Sequence, residues 1–198
     1  MESKLFTPVT FGPLTLRNRT IRSAAFESMC PGNAPSDMLL DYHRSVAAGG
    51  IGMTTVAYAA VTQSGLSFDR QLWMRPEIIP GLRRLTDAIH AEGAAAGIQL
   101  GHCGNMSHKS ICGCMPVGAS SGFNLYSPTF VRGLRADELP EMARAYGRSV
   151  NLAREAGFDS VEIHAGHGYL ISQFLSPSTN HRKDEFGGSL QNRMRFMD

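Results

Sequence analysis

Apolar positions along the chain alternate between the close spacing of buried strands and the wider spacing of amphipathic helices. A first strand is predicted at residues 20–25, because β-branched and small residues follow a predicted hairpin at Gly12 and Pro13. A helix is predicted next, from a cap at Ser36 to a stop at Gly49, with apolar residues at helical spacing between them.

The same alternation continues to the end of the sequence. Further strands are predicted at 51–61, 94–101 and 158–164, and further helices at 75–93, at 135–157 and from 188 onward. Asp137 is the expected N-cap of the helix at 135–157, and Gly157 is its expected C-cap. The Gly-, Ser- and Pro-rich segment from Cys103 to Arg135 is predicted as a long loop, either a lid over a substrate or disordered.

Strands that alternate with helices predict an α/β protein with a parallel sheet. Because no G-x-G-x-x-G follows the first strand, a (β/α)₈ TIM barrel is favoured over an open dinucleotide-binding sheet. Only four strand–helix units are visible, whereas a full barrel takes about 250 residues. We therefore expect residues 1–198 to form a single partial domain, the N-terminal half of a barrel with an N-terminal β-hairpin, whose C-terminal strands are absent.

The amino-acid composition and net charge indicate which kinds of molecule the protein binds. Hydrophobic residues make up 42% and charged residues 18%, with a net charge of +2, which favours a small-molecule substrate over nucleic acid or a membrane surface. The sequence shows neither a signal-peptide pattern nor an apolar run of about 20 residues, so a cytoplasmic location is expected. A homo-oligomer is compatible with these properties. The four cysteines do not follow common zinc spacings, so we expect free thiols and no metal site.

Two histidines and a tyrosine follow the last predicted strand, at His164, His167 and Tyr169. Glycines between them allow a tight turn that would bring the two imidazoles together. Such a pair can bind a metal, relay a proton, or donate two N–H groups to one oxygen that gains negative charge. It can also satisfy local backbone groups, and the spacing does not decide among these roles. A phenol beside the pair could supply a proton.

Three stretches of the chain resemble the old yellow enzyme family of FMN-dependent NADH:flavin oxidoreductases. They are "LFTPVTFGPLTLRNR", "GIQLGHCG" and the long "HAGHGYLISQFLSPSTNHRKDEFGGSLQNRMRF". Their order and spacing extend the resemblance over essentially the whole chain, nearest to the bacterial 2,4-dienoyl-CoA reductase-like branch. The resemblance implies a (β/α)₈ barrel that holds FMN at its C-terminal face, with NAD(P)H as the reductant.

Site residues carry over from this resemblance position by position. His164 and His167 match the pair that binds and activates the substrate carbonyl oxygen, and Tyr169 matches the tyrosine that protonates the α-carbon. Gln99 matches the glutamine at the flavin pyrimidine edge. The residues expected against the flavin ring are Ser23, Ala24, Ala25 and Tyr58.

Phe26 marks a departure from the family pattern. It occupies the position at which relatives use Cys or Thr to tune the flavin, and a phenyl ring cannot make that hydrogen bond. We assign Phe26 to the substrate side of the site, together with His164 and His167. Tyr58 also departs, because relatives often place Ala or Gly there.

The resemblance predicts hydride transfer from NAD(P)H through flavin N5 to the alkene of an α,β-unsaturated carbonyl compound or of an enoyl or dienoyl thioester. Alternatives are oxidation of an amine or alcohol, a catalytically silent half-barrel, or a metal hydrolase. Barrels commonly bind phosphate after strands seven and eight, so these residues alone are expected to hold FMN poorly. An iron–sulfur cluster, as in the dienoyl-CoA branch, would have to come from a missing C-terminal half.

Overall fold

The computed structural model describes residues 3–198, so the first two residues of the predicted domain lie outside it. The described residues form two compact units. The first contains residues 3–59, Arg70–Gln99 and Val150–Glu162, and the second contains Ala60–Asp69, Leu100–Ser149 and Ile163–Asp198. The prediction of a single partial domain stays a prediction.

Strands and helices alternate along the described residues. The strands are β1 (Val9–Phe11), β2 (Leu14–Leu16), β3 (Ile21–Arg22), β4 (Met53–Ala60), β5 (Ala95–Gly101), β6 (Val117–Gly118), β7 (Gly122–Asn124), β8 (Thr129–Gly133) and β9 (Ser160–Ile163). The α-helices are α1 (Asp37–Ala48), α2 (Ile79–Ala91), α3 (Lys109–Cys112), α4 (Leu139–Glu155), α5 (Leu170–Leu175) and α6 (Leu190–Met194). Among residues 3–198, no helix is both long and apolar enough to cross a membrane.

The main sheet has four strands in the order β3-β4-β5-β9. β3 runs parallel to β4, with Ile21 opposite Met53, and helices connect the successive strands, as expected for an α/β fold. Ahead of this sheet, β1 and β2 form an antiparallel pair in which Val9 lies opposite Leu16. Gly12, between the two strands, has φ +54°, a conformation that favours glycine.

In the first unit, α1 begins and ends where the sequence predicts, whereas α2 is shorter than the predicted 75–93, since a 3₁₀ turn at Pro76–Ile78 precedes it. Ser36 caps α1 by accepting a hydrogen bond from the Leu39 N–H at 3.2 Å. In α2 the residues at helical spacing, Leu82, Leu85 and Ile89, are fully buried, so this face contributes to the core. Burial of each such side chain stabilises the fold by roughly 1.5–3 kcal/mol.

The first predicted strand is longer than the observed one. Only Ile21 and Arg22 pair with the neighbouring strand, and the chain then continues without sheet pairing up to Cys30. The expected N-cap of α4 is also wrong. Asp137 lies inside a 3₁₀ turn, Ala136–Glu138, whose cap is Arg135. Glu138, the third residue of this turn, accepts a hydrogen bond from the backbone N–H of the cap residue Arg135 at 2.8 Å, as in a capping box.

The predicted loop from Cys103 to Arg135 is folded. It contains α3 and a three-stranded sheet in the order β6-β8-β7, with β7 and β8 forming an antiparallel pair. Arg182 also takes part in this packing. Its guanidinium is largely buried and donates to the carbonyl oxygens of Ala119 and Leu134. These carbonyl groups are satisfied by a side chain that is far away in sequence.

Candidate active site

The second unit contains the two histidines at the end of β9. The N–H of His164 donates to the Leu100 carbonyl oxygen at 2.8 Å, and the imidazole is buried. The chain then turns sharply, because His167 has φ +55° and Gly168 has φ +69°. A histidine in this left-handed conformation is uncommon and costs free energy that the surrounding contacts must offset.

The turn brings the two imidazoles together, as the glycine spacing predicts. Nε2 of His164 and Nδ1 of His167 lie 2.9 Å apart, and the ring centroids are 4.8 Å apart at an interplanar angle of 69°. One ring donates its N–H to the other in this arrangement. Two N–H groups that shared one oxygen at right angles would have nitrogens about 4 Å apart, given ordinary hydrogen bonds. An oxygen would therefore fit between the two nitrogens after a separation of about 1 Å.

Tyr169 completes a cluster of three rings. Its centroid lies 4.9 Å from that of His164 and 6.2 Å from that of His167. The phenol oxygen is 3.3 Å from Oγ of Ser67. Burial raises the pKa of Tyr169, and the hydrogen bond with Ser67 opposes that shift. The phenol therefore keeps its proton at neutral pH.

A cavity of about 490 Å³ opens beside His167 in the second unit. This volume lies within the range of small-molecule pockets. Its wall is mainly apolar, and its large side chains are Met106, Phe123, Leu125 and Tyr126. All four lie in the segment that the sequence predicts as a lid over a substrate or as a disordered loop, and the β7–β8 pair within it was not predicted.

His102, which the sequence leaves without a role, has a structural one. The Gly104 N–H donates to its Nδ1 at 2.9 Å, so its Nε2 carries the hydrogen and faces Oγ of Ser64 at 3.1 Å. Complete burial lowers the pKa of His102 to about 3, because the charged form would lose its hydration. His102 is therefore neutral and holds the backbone after β5.

In the first unit, Gln99 lies near the end of β5 and is buried. Its Nε2 donates to Oε1 of Glu162 at 2.6 Å. The Glu162 side chain therefore points toward Gln99. The carboxylate fixes the amide orientation, because it can only accept a hydrogen bond and so must face the NH₂ group.

The other residues assigned to the flavin also belong to the first unit. Ser23 and Ala25 are exposed in the segment after β3, and Phe26 is exposed as well. The Tyr58 ring is buried in β4, and its carbonyl oxygen accepts a hydrogen bond from Nε2 of Gln71 at 3.2 Å. The roles that the family resemblance gives to Phe26, toward the substrate, and to Tyr58, toward the flavin ring, stay predictions.

A buried polar cluster anchors the segment after β3, and sequence reasoning missed it. Oε1 of Glu27 lies 3.0 Å from Nη1 of Arg22, 3.2 Å from Nε2 of His43 and 3.1 Å from the Ala57 N–H. The four groups come from β3, the segment after it, α1 and β4. An acidic residue directly after Phe26 was the available signal, since a carboxylate that becomes buried needs hydrogen-bonding or charged partners.

Among residues 3–198, no group of three or more His, Cys, Asp or Glu side chains is arranged to hold a metal ion. The histidine pair thus lacks, in the described part of the chain, the third protein ligand that a zinc site ordinarily uses.

The structure is an α/β fold with a parallel sheet. Its titratable and amide side chains lie at or just after the ends of strands, where α/β-barrel enzymes have their active sites. The chain belongs to the NADH:flavin oxidoreductase / NADH oxidase family, which matches residues 4–198. The resemblance to the old yellow enzymes is thereby confirmed.

Individual relatives are longer than this chain. It is 42% identical over 192 residues to the 4,4'-dithiodibutanoate disulfide reductase of Rhodococcus erythropolis, covering 97% of this chain and 48% of that protein. It is 37% identical over 202 residues to the NADPH dehydrogenase of Bacillus subtilis, covering 100% and 58%. The chain therefore spans about half the length of the curated relatives it matches.

Solved structures show the same relation. The old yellow enzyme homologue from Zymomonas mobilis matches with a TM-score of 0.91 and 30% identity, over 98% of this chain and 57% of that one. Morphinone reductase in complex with tetrahydroNAD matches with a TM-score of 0.92 and 29% identity, over 99% and 58%.

Proposed function

We propose that this chain belongs to an FMN-dependent oxidoreductase that reduces the alkene of α,β-unsaturated carbonyl compounds with NAD(P)H. The observation that carries the proposal is the cluster of His164, His167 and Tyr169, in which two imidazole nitrogens meet at 2.9 Å beside a protonated phenol. The family match over residues 4–198 supports the flavin and the reductant. Enoyl or dienoyl thioesters are the extended substrate class.

The residues present fit FMN. In the proposal, the Gln99 amide binds the pyrimidine edge of the flavin through the Nε2 hydrogen and the oxygen that its contact with Glu162 does not use. The segment of Ser23, Ala24 and Ala25 is largely exposed and bears no large side chain, so a planar ring can approach its backbone. When bound, FMN supplies the hydride that it has received from the reduced nicotinamide.

His164 and His167 hold the substrate carbonyl oxygen. When hydride reaches the β-carbon, negative charge accumulates on this oxygen, and two fixed N–H donors stabilise that charge more than they stabilise the neutral ground state. One such donor typically contributes about 3 kcal/mol to the lowering of the barrier. Because the two rings bind each other at 2.9 Å, the substrate oxygen must first displace that contact.

Tyr169 holds the proton that the α-carbon needs. Its pKa is raised by burial, so the phenol stays protonated until a strongly basic carbon develops beside it. Ser67, at 3.3 Å from the phenol oxygen, stabilises the phenolate left after the transfer. Water can then return the proton to the oxygen.

The apolar cavity beside His167 supports a hydrophobic substrate. Phe123, Leu125 and Tyr126 contribute to its wall and stand on or beside the β7–β8 pair. We propose that this pair covers the ring of a cyclic enone or an aromatic enone. Phe26 would contribute a further apolar contact in the first unit.

We also propose that β3, β4, β5 and β9 correspond to the first four strands of a (β/α)₈ barrel. The parallel α/β architecture and the solved relatives support this assignment. In such a barrel, the loops after strands seven and eight commonly bind a phosphate group.

The proposed function is tested by separating the two half-reactions in the FMN-loaded enzyme. Stopped-flow absorbance should show that Tyr169→Phe is reduced by NAD(P)H at the rate of the unmodified enzyme but is reoxidised by 2-cyclohexenone at least about tenfold more slowly. Tyr146→Phe is the matched control, because Tyr146 lies in α4, outside the cluster of His164, His167 and Tyr169. It should change neither half-reaction.

His164→Ala should reduce the affinity for a phenol ligand, which places a partly negative oxygen between the imidazoles, by about a hundredfold. His181→Ala, at an exposed histidine of the same unit, serves as its control. Unchanged alkene reduction in both Tyr169→Phe and His164→Ala would overturn the proposal.

A further inference from the structure

A second reactive pair lies outside the histidine cluster, in the segment Cys112-Gly113-Cys114 of the second unit. The two Sγ atoms are 3.7 Å apart, and the Cys112 thiol faces the Cys114 carbonyl oxygen at 3.2 Å. Gly113 has φ +72°, a conformation that folds the chain back on itself after α3 and that glycine adopts at little cost. The proposed function uses neither thiol.

The two thiols differ in access. Cys112 is buried, whereas Cys114 is exposed and lines a cavity of about 610 Å³. Thr62, Ser64, Met115 and Met142 form part of the same wall, and the cavity is large enough for a small organic molecule. Cys114 can therefore meet a ligand directly, with Cys112 immediately behind it.

The charges around this cavity balance in number. Its ionic side chains are Arg132, Arg135, Arg148, Asp137, Glu138 and Glu141, and each arginine is paired with at least one of the acids at 2.7–3.1 Å. A ligand without net charge is therefore favoured. Arg132 is the cation that acts on the thiol, because it lowers the pKa of Cys114 against the larger effects of burial and of Cys112.

We propose that Cys112 and Cys114 form a two-thiol exchange site that accepts a small, uncharged organic disulfide in this cavity. Cys114, as the thiolate, attacks one sulfur of the disulfide, breaks the S–S bond and releases one thiolate. Cys112 then attacks Sγ of Cys114, breaks the mixed disulfide and releases the second thiolate. The ligand gains two electrons, the protein loses them as a Cys112–Cys114 disulfide, and the two thiol protons end on the released thiols.

The geometry supports closure after the first attack. The two sulfurs must approach from 3.7 Å to about 2.05 Å, a movement that rotation of the exposed Cys114 side chain and the glycine between the two residues permit. Burial and Cys112 raise the pKa of Cys114 to about 11. The first attack should therefore be slow at neutral pH and accelerate as the pH rises, since the thiolate is the nucleophile.

The test incubates the FMN-loaded enzyme, without NAD(P)H, with bis(2-hydroxyethyl) disulfide and follows the released thiol. The tryptic peptide 110–132 contains both cysteines and no other, so mass spectrometry reads the site directly. We expect two released thiols per chain and loss of two hydrogen atoms from this peptide. Cys30 and Cys103 are buried and should remain unmodified, which reports that the chain stays folded during the reaction.

Two variants assign the roles of the thiols. Cys112→Ser should release one thiol and keep a stable adduct on Cys114. Cys114→Ser should release thiol much more slowly than the wild-type chain, because it lacks the attacking thiol. Reaction of Cys112 in Cys114→Ser at the wild-type rate would overturn the assignment. A persistent adduct without closure in the unmodified chain, or no reaction of the 110–132 peptide, would overturn the proposal itself.

Discussion

Replacing Glu27 by glutamine removes a buried negative charge while keeping the shape of the side chain. The carboxylate oxygen accepts from Arg22, His43 and the Ala57 N–H at 3.0–3.2 Å, and the side chain of Glu27 is only 5% exposed. Hydrogen bonds to a charged group contribute about 1.5–3 kcal/mol each, and breaking a buried ion pair by removing one partner costs about 3–5 kcal/mol.

Glutamine retains one acceptor oxygen, so we expect Glu27→Gln to lower the free energy of unfolding by about 3 kcal/mol. The loss should be larger for Glu27→Ala, which also leaves a cavity and removes every acceptor. Urea unfolding followed by circular dichroism measures both. With a denaturant slope of about 2–3 kcal/mol per molar, the midpoint should move down by about 1 M in Glu27→Gln.

Asp41→Asn provides the control. Asp41 pairs with Arg44 at 3.1 Å, but both side chains are more than half exposed, so its loss should cost no more than about 0.5 kcal/mol. The reasoning would be refuted if Glu27→Gln lost less than about 1 kcal/mol, or no more than the exposed variant. Such a result would mean that the Glu27 cluster does not hold the segment after β3.

Two buried positions of the second unit give further outcomes. The pKa of His102 is lowered to about 3, below the ordinary value of about 6.5, so the unfolded chain binds more protons between these values. The stability that the neutral, buried His102 contributes is therefore fully present above about pH 6.5. Between about pH 6.5 and pH 3 the free energy of unfolding falls by about 1.4 kcal/mol per pH unit. Urea midpoints measured from pH 7 down to about pH 4 should fall less steeply in His102→Asn, and an equal slope would contradict this account. Gly104 has φ +63°, and a Cβ there would overlap the Gln173 side chain. Gly104→Ala should therefore cost about 2 kcal/mol by the same assay, whereas Gly147→Ala, with open space in α4, should stabilise the chain by about 0.5–1 kcal/mol; the reverse order would refute the steric argument.

The long, regular elements could be predicted from the sequence because local signals and burial agree in them. α2 has apolar residues at helical spacing, and the observed helix buries that face. The four strands of the main sheet were all expected, since β3 follows a predicted hairpin and β4, β5 and β9 are short apolar runs that each follow a helix closed by glycine. Only β3 is much shorter than predicted, because its sheet pairing to β4 ends after Arg22.

The segment between β5 and α4 could not be predicted in the same way. Strands of two to five residues, such as Val117–Gly118 and Thr129–Gly133, carry too few positions for a period to emerge. Arg182 illustrates the second reason. Its partners Ala119 and Leu134 are carbonyl groups about fifty to sixty residues away, and no local pattern reports such a contact.

Within the candidate site, the chemistry could be read from the sequence more readily than the supporting contacts. The glycines around His167 predicted a turn that joins it to His164, and the 2.9 Å contact agrees. The role of Glu162 toward Gln99 depends on which way two strand side chains point, and the anchoring of Glu27 depends on partners in three other segments. Residues that touch a ligand follow a motif, whereas residues that orient them are distributed over the chain.

The left-handed backbone at His167 also limits which amino acids can replace this residue without strain. Asparagine, aspartate and histidine enter this region several times more often than other side chains do, and glycine enters it freely. Of these, glycine offers no side-chain donor and an ionised aspartate can only accept. Asparagine is therefore the one exchange that would retune donor acidity while leaving the path of the main chain intact.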